Sequence, residues 1–194
     1  MQYVNIHTHR PTGRHIEPTS AGIHPWNTGM AILDADELAS ITASAQIIGE
    51  TGLDLLKGDF ARQKQFLYMH LQLAADNGKP VILHCVRTFE PMLAIAGRYN
   101  LSAVIFHGFI GSSFQAEIAC KRGYYLSFGE RSLRSPRATE ALRTMPLQNL
   151  FLETDDSETS IEEIYARAAE VRGTTVEELQ AAILDNYNRL FAKR

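Results

Sequence analysis

The chain has 194 residues, 45% hydrophobic and 21% charged, which suits one compact domain (1–194) with a sizeable core. A net charge of -3 excludes a broad electrostatic grip on duplex DNA, yet leaves room for an enzyme that touches a few phosphates at a strand end. No apolar run reaches the roughly 18–20 residues of a membrane span, no secretion signal opens the chain, and Cys85 and Cys120 form no dense disulfide pattern, so a cytoplasmic protein with reduced thiols is expected.

In chain order, "QYVNI" reads as a strand and "TSAGI" as a weaker one, with the polar, Pro/Gly-containing loop "RPTGRHIEPTS" between them. "LDADELASITAS" reads as a helix and "AQIIGE" as a strand. "ARQKQFLYMHLQLAADNG" is a helix with Leu67, Leu71 and Ala74 on one face and Gly78 as its C-terminal cap. Next come strand "PVILH", helix "FEPMLAIAGRY", strand "SAVIFH", helix "SSFQAEIACKRG", strand "YYLSFG", helix "PRATEALRTM" and strand "NLFLET". Ser160 with Glu163, and Thr175 with Glu178, are capping boxes that open two closing helices. Apolar strands alternating with helices predict parallel βαβ units.

Chemistry-bearing residues fall at the strand tips. His7 and His9 follow "VNI", Glu50 follows "IIG", His84 follows "VIL", His107 follows "VIF", and Asp155 follows "LFLET". In a parallel barrel such tips share one rim, where sites are built. His7 and His9 are two apart on a strand and so share a face. Four imidazoles and two carboxylates suit one or two divalent metals of the Zn, Mn or Mg type, and Glu50 is the natural bridging carboxylate. His15, in the loop, and His70, mid-helix, read as structural or surface residues.

The motifs "NIHTHR", "SAGIHPWN", "IIGETGLD", "VILHC", "IFHGFIGS", "YLSFG", "LFLETD" and "NYNRLF" appear in an order that resembles the TatD-related DNase family across essentially the whole chain. The resemblance implies a TIM-type (β/α) barrel, two divalent ions (Zn, Mg or Mn) and phosphodiester hydrolysis, notably of DNA. It gives His7, His9 and Asp155 to the first ion, His84 and His107 to the second, and Glu50 to both. It places His24, of "GIHP", close to substrate or metals. Asp155 is expected to accept the proton of the attacking water. His24, Arg87 and Trp26 are the expected substrate contacts. Trp26 suits base stacking or a cap on the barrel rim. Cys85 is expected in the core, and Glu153 to hydrogen-bond a ligand histidine.

Three departures stand out. Only residues 10 to 23, fourteen in all, separate His9 from His24, too few for a βα unit. The barrel is therefore expected to be incomplete or distorted near its first strands. The loop after "ETD" is nearly absent, and Val86 stands between "HC" and Arg87. Both shortenings predict an open cleft and short or flexible substrates, such as DNA ends or small phosphodiesters. A missing unit exposes apolar wall, which a second copy can cover. The competing readings are an amidohydrolase-type enzyme acting on another small phosphoester or amide, and a non-catalytic metal-binding relative.

Overall fold

The computed structural model describes residues 2–191. They gather into two compact units, Thr19–Phe106 and, as the second, the chain up to Pro18 with the chain from His107 onward.

The unit Thr19–Phe106 alternates strand and helix: β1 (Ser20–Ala21), α1 (Ala35–Thr42), β2 (Ile47–Asp54), α2 (Phe60–Asn77), β3 (Val81–Val86), α3 (Phe89–Ala96) and β4 (Val104–Phe106). Each strand pairs in parallel with the next. Parallel strands are covered on both faces, and β2 is buried at all eight positions. Ile47, Ile48, Leu53, Phe66, Leu67, Leu71, Ile82 and Leu83 fill this core. Helix α2 starts where the Asp59 carboxylate accepts from the Ala61 and Arg62 amides, and stops at Gly78 in the left-handed region, as its sequence predicts. The β2–β3 register slips between Ile48 and Thr51, and Glu50 sits inside that slip. Irregularities of this kind re-aim a side chain at a strand end.

His70, on α2, is fully buried rather than a surface residue. Burial pushes its pKa down to about 4, against the opposing effect of its bond to the Phe66 carbonyl. An unfolded histidine titrates near 6.5, so below that pH the unfolded chain takes up a proton that the native chain refuses. His70's contribution is thus complete above pH 6.5 and drains away as pH falls from 6.5 towards 4, by about 3 kcal/mol in all. Two carboxylates whose pKa is held low by neighbouring hydroxyl groups, Glu130 and Glu178, lose their contribution only below about 4.5. Urea unfolding at pH 7.5 and pH 5 is expected to show the wild-type protein losing stability relative to His70→Gln; parallel losses in both would contradict this.

In the other unit, α4 (Ser113–Lys121), β5 (Tyr125–Phe128), α5 (Glu130–Leu133), α6 (Pro136–Thr144), β6 (Leu150–Leu152), α7 (Ile161–Arg172) and α8 (Val176–Leu190) follow one another. Strands β5 and β6 pair in parallel. Ser112 and Thr175 close full capping boxes, while Ser160 caps α7 by accepting from the Glu163 amide. The expected strand at Tyr3–Ile6 does not form a ladder. Val4 and Thr8 make isolated parallel bridges to Ile16 and Asp155. The Ile6 amide donates to the Leu152 carbonyl at 3.1 Å. The Tyr165 hydroxyl donates to the Val4 carbonyl at 3.0 Å and accepts from its amide at 3.3 Å.

Residues 10–19 run irregularly, as their composition predicts. The Glu17 carboxylate folds the loop by accepting from the Thr12 and Gly13 amides, each at 2.8 Å. Six strands form among the described residues, against eight in a full barrel. Neither cysteine is in a disulfide among the described residues. Cys85 is half-buried rather than core, its Sγ 3.6 Å from the Thr88 hydroxyl. Among the described residues no helix is long and apolar enough to cross a membrane.

Candidate functional site

In the unit Thr19–Phe106, the slip in β2 turns Glu50 towards two imidazoles. Glu50 Oε1 lies 2.7 Å from His84 Nδ1 and 3.1 Å from His24 Nε2. The other side of His84 faces a second carboxylate, with Nε2 3.4 Å from Asp54 Oδ2. Asp54 is buried and already accepts from the Trp26 indole N–H at 2.7 Å and the Leu56 amide at 2.8 Å. Burial pushes its carboxyl up, but those two donors and His84 outweigh it, and Asp54 stays below the ordinary carboxylate value. The ring of His84 is thus held between two carboxylates, with the shorter contact, 2.7 Å from Nδ1, to Glu50 and the longer, from Nε2, to Asp54. Imidazole nitrogens and carboxylate oxygens converging this closely form a donor set that suits a divalent cation.

His24 is arranged differently. Its Nδ1 accepts from the Trp26 amide at 3.1 Å, so a neutral ring carries its hydrogen on Nε2, towards Glu50. That tautomer donates a hydrogen bond and offers no lone pair to a metal at Nε2.

In the other unit, His7 Nε2 and His9 Nε2 lie 3.7 Å and 3.4 Å from Asp155 Oδ1. Asp155 is fixed through its backbone, its amide donating to the His7 carbonyl while its carbonyl accepts from the His9 amide. The rings of His7 and His107 meet edge to face at 4.8 Å. His107 Nδ1 lies 3.3 Å from Glu153 Oε1, which also accepts from the Gly108 amide at 2.8 Å. Burial raises the Glu153 pKa, but His107 and then His7 overcome this and hold it low. Glu153 therefore keeps the hydrogen on Nδ1 of His107 and fixes the orientation of its ring. The ligand-type atoms of His7, His9 and Asp155 converge within 4.8 Å of one another, as do those of His24, Glu50 and His84. Imidazole nitrogens with carboxylate oxygens suit Zn, Mn or Mg.

Two expected substrate contacts are placed as follows. Arg87 is exposed just past β3, at a φ of 56°. Trp26 is 54% exposed, but its indole N–H is spent on Asp54 and Lys57 Nζ lies 5.5 Å from its ring centre. Asp54 is the residue that sequence reasoning passed over. Its position four after Glu50, on the same side of the strand, is the signal that finds it.

A family model described as TatD related DNase matches residues 15–192. The chain belongs to the TatD-related DNase family. An Escherichia coli K12 member, the uncharacterized metal-dependent hydrolase YjjV, is 32% identical over 168 residues, which cover 77% of this chain and 64% of YjjV. The chain thus spans less than two thirds of that relative's length. The crystal structure of YjjV superposes with a TM-score of 0.78 at 28% identity, covering 92% of this chain and 77% of that one. The TatD-type (β/α) barrel fold, shortened here, follows from that match. The protein named 3'-5' ssDNA/RNA exonuclease TatD of Cronobacter sakazakii is 31% identical over 151 residues, 71% of this chain and 56% of its own.

Proposed function

We propose that this TatD-family chain is a divalent-metal-dependent hydrolase that cleaves phosphodiester bonds, with DNA ends or small phosphodiesters as substrates. The observation that carries the reading is the pairing of each inner imidazole with a buried carboxylate, Asp54 behind His84 and Glu153 behind His107. Such pairs orient histidines for metal rather than for the core. His7, His9, Glu50, His84, His107 and Asp155 are the proposed ligands of two ions, and the sharing of Glu50 by both is carried by the family resemblance. Bound divalent cations supply a water of lowered pKa and offset charge on the phosphate.

The protein side chains do the rest. Asp155 accepts the proton of the attacking water through its free oxygen. His24 holds its proton at Nε2 and donates it as a hydrogen bond to a phosphate oxygen. Arg87 contacts the phosphate, and the Trp26 face stacks on a base, a contact that tolerates any sequence. The nuclease name of the Cronobacter relative supports single-stranded nucleic acid as the first substrate to try.

Elemental analysis after saturation with Zn or Mn is expected to find about two ions per chain, and Glu50→Gln to lower that count. A chelator is expected to abolish cleavage in a screen of single-stranded DNA, RNA and small phosphodiesters. Absence of bound metal, or chelator-resistant cleavage, would sink the proposal.

A further inference from the structure

The geometry points to His70 as a positioning residue: we propose that its ring pins the Gly22–Ile23 backbone onto β2 and thereby sets where His24 meets Glu50. The consequence for catalysis rests on the function proposed above; the pinning itself does not.

The ring is committed at both nitrogens. The Ile23 amide donates to Nε2 at 2.9 Å, so Nε2 bears the lone pair. Nδ1 then carries the hydrogen and donates to the Phe66 carbonyl at 2.7 Å, one turn back on α2. Only one neutral tautomer satisfies both bonds. Leucine would fill the same space without the cost of burying an imidazole. What leucine lacks is an acceptor for the Ile23 amide. β1 ends at Ala21, so the strand pairing that serves its residues stops short of Ile23.

The pinned backbone has no slack. A methyl on Gly22 would lie 2.7 Å from Gly49 Cα and 3.0 Å from His70 Nε2. Helix α2, the Gly22–Ile23 turn and β2 therefore meet with room for a hydrogen only, and Gly49 immediately precedes Glu50. His24 follows Ile23 directly. Its Nε2 sits 3.1 Å from Glu50 Oε1 and 3.3 Å from His84 Nδ1. A shift of Ile23 is passed to His24 across a single peptide unit.

The experiment compares wild type, His70→Leu and His70→Gln, whose side-chain oxygen can accept from Ile23. Amide exchange is read residue by residue, and Zn and Mn are titrated into the chelator-treated protein. In the wild type the Ile23 amide is expected to be protected to the level of the β2 amides. His70→Leu is expected to speed Ile23 exchange by about a hundredfold while the β2 and β3 amides hold, and to weaken metal binding by about tenfold. His70→Gln is expected to recover most of both losses. An unprotected Ile23 in the wild type overturns the proposal, and needs no variant to fold. So does a folded His70→Leu with wild-type exchange and affinity, or a His70→Gln that recovers nothing. Wild-type protein that cleaves no phosphodiester would remove the proposed function while leaving the Ile23 result to stand or fall by itself.

Discussion

Asp155→Asn is expected to lower turnover by on the order of a thousandfold while leaving the unfolding midpoint close to wild type. The substitution keeps shape and changes charge. Asp155 sits at a φ of 53°, in the left-handed region that Asn adopts readily. Its backbone bonds to the His7 carbonyl and the His9 amide survive. What disappears is a carboxylate oxygen lying 3.4 Å and 3.7 Å from two imidazoles. A neutral amide neither neutralises a cation nor accepts a water proton, so both proposed roles are lost together. Turnover within tenfold of wild type, measured at saturating metal, would rule out that double role. Asp155→Ala is the control for strain, because Ala pays about 1–2 kcal/mol to hold the same backbone.

Gly52→Ala is expected to be the most damaging small change to the fold, costing at least about 3 kcal/mol. Gly52 pairs with His84 across β2 and β3 at a φ of 153°. A Cβ there would lie 2.0 Å from the His84 carbonyl oxygen and 2.8 Å from its carbon. Those atoms are backbone and cannot swing aside, so the two strands must part. The same parting would pull His84 from Glu50, now 2.7 Å apart. Urea unfolding checks the stability, and a variant within about 0.5 kcal/mol of wild type would show that the strands yield cheaply.

The parts of the fold that could be read from sequence are those where local and tertiary demands agree. Strand β2 opens on Ile47 and Ile48, apolar because they are buried, and α2 announces its end through Gly78. Tyr3–Ile6 has the composition of a strand, but pairing takes a partner of matching length. The loop at Ile16 offers one bridge, so propensity is not converted into a strand. Helix α5 has four residues, too few to show a helical period. The family and its motifs were legible as a pattern. Of the supporting hydrogen bonds, the one from Glu153 to a ligand histidine was legible too, and is made to His107; those of Asp54 were not. Asp54 lies within the "IIGETGLD" motif, where nothing local marks its bond to His84, and the sequence shows Trp26 as a stacking surface or a rim cap but not as a donor to Asp54. His70 looked like any mid-helix histidine, because its partner Ile23 lies 47 positions away in the chain.

An ion held by His7, His9 and Asp155, as proposed, would also act as a guardian of residues Val4 to His9. That stretch is held without a ladder, by two isolated bridges and by bonds to Ile16, Leu152, Thr154 and Tyr165. No strand ladder ties it down, so its peeling open is a local event that a bound ion can oppose. Val4 to His7 are buried, so a protease reaches them only after peeling. A cation gripping His7, His9 and Asp155 binds the closed form alone. By mass action it then opposes peeling by about 2.7 kcal/mol at a hundredfold excess over Kd, a factor of about a hundred in the open population. Limited proteolysis between Val4 and His7 is therefore expected to slow about a hundredfold on adding Zn or Mn and to return with a chelator. Cutting at the same rate in both conditions would show that this group does not hold the metal.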